Sequence, residues 1–158
     1  MNTKRIYDLF STSIDQLSWV TASSFYMSEP YNKNDEGDAG EYPKIFLSVP
    51  LSSSHTDRLS TYNLFLTIVD VYGMTYSTVQ QETNKQVEII DKCEIIWTQL
   101  WNILKNTEGV GGPDNVNIVT IHEEGLDRYS GIEVNFTITI GNNLCERFPI
   151  IPEPEPEI

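Results

Sequence analysis

Apolar positions along this chain fall into two rhythms, and each rhythm predicts a different element. From Asn84 to Asn106 the sequence NKQVEIIDKCEIIWTQLWNILKN places Val87, Ile90, Trp97, Trp101 and Leu104 at three- and four-residue steps. Ile89, Cys93, Ile96, Leu100 and Ile103 form a second row beside them. Two such rows make an apolar face wider than a third of a helical cylinder, the width of a helix that lies on a sheet. Glu88, Lys92, Gln99 and Lys105 remain for solvent, and neither Pro nor Gly interrupts the segment. The second rhythm has period two. In GIEVNFTITIG (131–141), Ile132, Val134, Phe136, Ile138 and Ile140 alternate with Glu133, Asn135, Thr137 and Thr139. That is a strand with one face toward a core and the other toward water or a partner subunit.

The remaining elements follow from weaker versions of these patterns. Residues 2–16 read as a short amphipathic helix, with Ile6, Leu9 and Phe10 on one face, Leu17 extending it, and Asn2 or Thr3 as its cap. LSWVTASSFYM (17–27) has aromatic and β-branched residues without a helical period and reads as extended. KIFLSV (44–49) is a short strand bounded by Pro43 and Pro50. TYNLFLTIVDVYG (61–73) is a long strand with Tyr62, Leu64, Leu66 and Ile68 on one face and Phe65, Thr67, Val69 and Val71 on the other. Apolar residues on both faces make it a central strand. VNIVTIHE (116–123) is a further strand. SEPYNKNDEGDAGEY (28–42), LSSSHTDRLS (51–60), residues 74–83, NTEGVGGPDN (106–115) and EGLDRYSG (124–131) read as loops and turns. The order predicts one α+β domain over residues 1–145. In it an N-terminal helix and one long central helix pack on one face of a largely antiparallel sheet. Residues 146–158 follow as an extended arm. Pro149, Pro152, Pro154 and Pro156 bar helix and most sheet pairing, and at about 3.1 Å per residue the arm spans on the order of 40 Å.

Composition changes this picture in one respect. With 39% hydrophobic and 11% aromatic residues the chain has the material for a folded core. Its 23 acids against 10 bases leave a net charge of −13, so it has no basic stripe with which to neutralise nucleic-acid phosphates. No apolar run approaches a membrane span, and MNTKRIYDLF has no signal-peptide core. Cys93 and Cys145 are expected to be free thiols in a reducing compartment.

Candidate chemistry is sparse. NKNDEG (32–37) begins like a calcium loop, but the position that needs a closing bidentate Glu is Pro43. His122 with Glu123, Glu124 and Asp127 offers one nitrogen ligand and no thiolate, too little for zinc, and His55 stands alone. GVGG (109–112) lacks the Gly-Lys-Ser/Thr ending of a phosphate loop and follows a helix, so it reads as a turn. Neither cysteine has a basic neighbour in a setting that would activate it, and no serine lies in a Gly-x-Ser-x-Gly elbow. The expectation is a protein without catalysis, cofactor or metal.

The blocks YPKIFLSVP (42–50), LFLTIVD (64–70), VEIIDKCEIIWTQLW (87–101) and HEEGLDRYSGIEVNFTI (122–138), with the Cys145 that follows, resemble small structural proteins of tailed bacteriophages. The group is that of head–tail connector, tail-completion and tail-terminator proteins of Bacteroides and crAss-like phages. Asp127, Gly131 and Cys145 match the D-x-x-x-G step and the later Cys of those proteins, while PIIPEPEPEI extends beyond where they tend to stop. The resemblance implies a non-enzymatic virion protein of the tail or neck, made in the bacterial host cytoplasm. It would form a homo-oligomeric ring of about six or twelve copies at the portal–tail junction. Its partners would be the portal or adaptor and other tail or ring proteins, with genomic DNA only as a non-specific passenger in the lumen and no membrane contact. Arg147, Phe148, Ile150 and Ile151 are the candidate subunit-interface residues, because an apolar arm is poorly suited to water. The loops 28–41 and 51–60 are the next candidates for contact with neighbours. The alternative from a different class is a monomeric acidic protein-binding module or assembly chaperone; a small enzyme built on His122 is the third.

Overall fold

A computed structural model describes residues 3–18, 20, 24–28, 42–49, 51–71, 78–124 and 129–141, without the side chains of 122–124. Helix α1 (Thr3–Ile14) buries Ile6, Phe10, Ser13 and Ile14, a stripe at four-residue spacing, while Lys4 and Asp8 pair at 2.8 Å on the opposite side. Bonds from Gln16 N to Ser13 O and from Leu17 N to Ile14 O tighten its last turn. Helix α2 (Val79–Lys105) is capped by Thr78, whose side chain accepts from Gln81 N, with Glu82 in the first turn and Lys105 in the last. It begins five residues before the predicted Asn84. The added turn is polar and solvent-facing, so it has no apolar period to announce it, but Gln and Glu propagate a capped helix well.

The strands are β1 (Phe25–Tyr26), β2 (Lys44–Leu47), β3 (Ser52–His55), β4 (Leu59–Val71), β5 (Val110–Glu124) and β6 (Tyr129–Gly141). They form one sheet in the order β1-β2-β4-β6-β5, with β3 also on β4. Every pairing is antiparallel except β1 with β2, which is parallel. The fold is a single α+β domain with a mixed, mostly antiparallel sheet. The central position of β4 follows from its two apolar faces: β6 pairs with it from Leu59 to Val71, and β2 and β3 share its other side.

Tyr62, Leu64, Leu66 and Ile68 of β4 and Ile132, Val134, Phe136, Ile138 and Ile140 of β6 face one main core. Ile89, Ile90, Cys93, Ile96, Trp97, Leu100 and Leu104 of α2 join them there. Phe136 lies at its centre, with the ring of Trp97 at 4.9 Å and that of Phe10 at 6.2 Å, so one β6 side chain meets both helices. A smaller cluster, Phe46, Val69, Ile121 and Tyr129, covers one end of the other face with Tyr26, Tyr42 and Val71 packed against it. Gly131 lets β6 approach β4: a Cβ there would stand 1.9 Å from the carbonyl oxygen of Ile68.

Four expectations are corrected. Residues 51–60 are not a plain connection. Ser52–His55 form β3, and Thr56 N to Leu59 O (2.8 Å) closes a hairpin back into β4. The serines carry no alternation because neither side of β3 is covered. Residues 106–115 are a turn only up to Gly109, since β5 starts at Val110, six residues before predicted. Its register shifts between Gly111 and Asp114 and again between Asp114 and Asn117. Glycine and proline mark bulges of an edge strand here, not the end of pairing. Gly112 (φ 92°) has no room for a side chain, because a Cβ would lie 2.9 Å from Thr137 O. Third, 17–27 is not a continuous extended segment: Leu17 closes the turn after α1, and among the described residues of this stretch strand structure is limited to Phe25–Tyr26. On α2, Val87 and Trp101, assigned to the core face, are 56% and 39% exposed.

Candidate subunit interface

Arg147, Phe148, Ile150 and Ile151, the candidate interface residues, lie outside the described residues, as do Cys145, Asp127 and nearly all of the 28–41 loop. The other candidate loop, 51–60, is described, and most of the β3 hairpin is exposed. His122 is on β5 with its side chain outside the description. His55 belongs to β3, where Nδ1 lies 2.6 Å from Ser60 Oγ and Nε2 lies 3.0 Å from Ser53 Oγ. Its ring stands edge-on to Tyr62 at 6.2 Å. That arrangement ties the histidine into the hairpin. Both imidazole nitrogens of His55 are taken by serines.

Cys93, on the buried face of α2, is free and fully buried. Its thiol is pushed up to about 12, first of all by burial, with Asp70 and Glu94 contributing to the rise and Lys92 opposing it. A thiol held neutral in this way is a core side chain at ordinary pH. Lys92, assigned to solvent, instead reaches across to β4 and places Nζ 3.0 Å from Asp70 Oδ2. Among the described residues no three His, Cys, Asp or Glu side chains come together as a metal site, and no described helix is long and apolar enough to cross a membrane. An open cleft of about 320 Å³ between the ends of α1 and α2 is lined by Gln16, Asn102, Ile103, Asn106 and Thr107, with no charged group to orient a ligand.

Sequence reasoning missed Lys44. It is 1% exposed, with Nζ 4.6 Å from the centroid of Tyr42 and 5.7 Å from that of Tyr26. Opposite Val69 in the register, it points to the smaller cluster on the second face of the sheet. The aromatic rings compensate the ammonium for lost water. The available signal was Lys at the first position of a strand flanked by Tyr and Phe.

The surface that does have the make-up of an interface is apolar. On β5, Val116, Ile118 and Val119 are 37%, 41% and 51% exposed. On α2, Val87, Ile95 and Trp101 are exposed as well. In sequence comparisons, no family model and no curated protein matches the chain.

Proposed function

We propose that this chain is a structural virion protein, the subunit of an oligomeric ring at the portal–tail junction, with a connector or tail-completion role and no catalysis. The observation that carries the reading is the set of large apolar side chains left uncovered on β5 and α2 of a subunit whose net charge is −13. Solvation is well served by the acids, so large apolar side chains left exposed on a sheet edge and on α2 favour burial in an assembly. The block-by-block resemblance to phage connector and tail-completion proteins supplies the setting. A strongly acidic ring also suits a lumen that DNA must pass without sticking, since like charges repel. In this reading the subunit contacts its own copies, then the portal or adaptor on one side and a tail protein on the other. The arm, through Phe148, Ile150 and Ile151, adds a second contact to a neighbour.

Negative-stain microscopy of the purified protein, together with antibody labelling of tailed particles, tests this. Rings with a central opening and label at the particle neck are expected. A chain that stays monomeric at high concentration and labels no particle would overturn the reading in favour of the acidic binding module or chaperone.

A further inference from the structure

The two edges of the sheet differ in length. One is made of the short strands β1 and β3; the other is β5, fifteen residues long, whose outer side no described strand pairs. Bulges interrupt β5 on either side of a stretch from Asn117 to Ile121 that keeps unbroken register against β6. Bulges and charges are the usual means of blunting an edge. Between them this stretch, Asn-Ile-Val-Thr-Ile, has no charge, no proline and four β-branched residues. Ile118, opposite Val134, belongs to the α2 side of the sheet and is 41% exposed. Val119, opposite Glu133, belongs to the other side and is 51% exposed. One added strand would therefore cover apolar surface on both faces while taking up the backbone groups of the edge.

Charge decides what that strand belongs to. A basic partner would be drawn to the carboxylates of a chain with net charge −13, not to a neutral edge. A second copy is repelled by those same carboxylates and can approach closely only where they are absent. No residue from Asn115 to Ile121 is charged. We propose that the outer edge of β5 at residues 117–121 receives a strand of a second copy of this chain, continuing the sheet across the contact. This deepens the assembly reading by naming the surface that copies share, and it does not depend on the virion setting.

The test is the mass of the full-length protein by light scattering over a range of concentrations, for wild type, Val119→Lys, Ile118→Lys and Phe65→Lys. Phe65 is a control, an exposed apolar residue of β4 away from the edge. Wild type should be oligomeric and dissociate on dilution. Each β5 variant should associate at least ten-fold more weakly with unchanged circular dichroism, and Phe65→Lys should behave as wild type. The proposal is overturned if both β5 variants assemble like wild type, if wild type is monomeric throughout, or if Phe65→Lys disrupts assembly equally. Rings that persist in both β5 variants would remove the edge contact and leave the ring. Discrete two-fold dimers lost in those variants would keep the edge contact and remove the ring.

Discussion

Strands β5 and β6 lie side by side, are similar in length and are both rich in Val and Ile, yet they meet opposite fates. β6 has a neighbour on each side, and its alternate residues from Ile132 to Ile140 are buried under α1 and α2. β5 has one described neighbour, and its residues from Asp114 to Thr120 are exposed on both faces. Ile118 is as apolar as Ile132, and by register it lies on the same side of the sheet as Val134. What it lacks is cover. Apolar content therefore identifies a strand, while its place in the sheet sets how much of that content is buried. On an edge the surplus is available for an intermolecular contact.

The largest expected effect breaks the covered half of this comparison. Phe136 contacts Trp97 and Phe10 from the middle of β6 and is 1% exposed. Phe136→Ala should cost about 3–5 kcal/mol, the range for large aromatic truncations in a core. Urea denaturation measures it, and a loss below about 1 kcal/mol would mean that the helices do not close on β6 as described. Gly131→Ala comes next. Its Cβ would stand 1.9 Å from the carbonyl oxygen of Ile68 and 2.9 Å from the Cα of Val69, both backbone atoms that cannot turn aside. Forcing β4 and β6 apart at that point should cost about 1–3 kcal/mol, as overpacking does.

The contrast between the strands also explains what the sequence could disclose. The alternation of β6 and the two apolar faces of β4 were legible because burial on both strands is continuous, and continuous burial leaves a period. Both helices were legible for the same reason, although the first turn of α2 was not, since residues that face only water carry no period. β3 and the start of β5 were hidden. The serines of β3 bury neither face, and Gly111, Gly112 and Pro113 read as a turn when they in fact bulge an edge. Lys44 was hidden because only the fold reveals that the rings of Tyr42 and Tyr26 both face its ammonium. As for the interface, the arm with Phe148 lies outside the described residues. The exposed edge was recognisable as a strand but not as an edge, because strand order is not written in local pattern.

A pH measurement sharpens the covered side. Cys93 lies in the dry core between α2 and the sheet, and its thiol is pushed up to about 12 from an ordinary value near 9.0, chiefly by burial. The unfolded chain gives up this proton near pH 9, whereas the native chain keeps it. The neutral thiol therefore leaves stability unaffected below about pH 9 and causes a loss as pH rises from there toward 12. The slope from this one group should approach about 1.4 kcal/mol per pH unit. Cys93→Ala should remove that share of the slope, read as the difference between the two proteins because tyrosines and lysines titrate in the same window. Equal slopes would show that water reaches the thiol.

The smallest expected effect falls on β5, and its smallness is the point. Val119 is 51% exposed and faces the side of the sheet away from the helices, opposite Glu133. Val119→Thr keeps a β-branched side chain, so the strand loses little intrinsic preference, and the methyl it replaces was already largely in water. Stability of the dissociated subunit should move by less than about 0.5 kcal/mol, as for surface substitutions without a special role. Denaturation must be followed at a concentration below that of assembly, because any contact made only by the folded subunit adds to apparent stability by mass action. Repeating the measurement at high concentration should then separate wild type from Val119→Thr, with wild type the more stable. If the two differ already in the dilute subunit by more than about 1 kcal/mol, Val119 is packed within its own chain and the contrast between β5 and β6 disappears. If they never separate at high concentration, the exposure of β5 is not used for association through this residue.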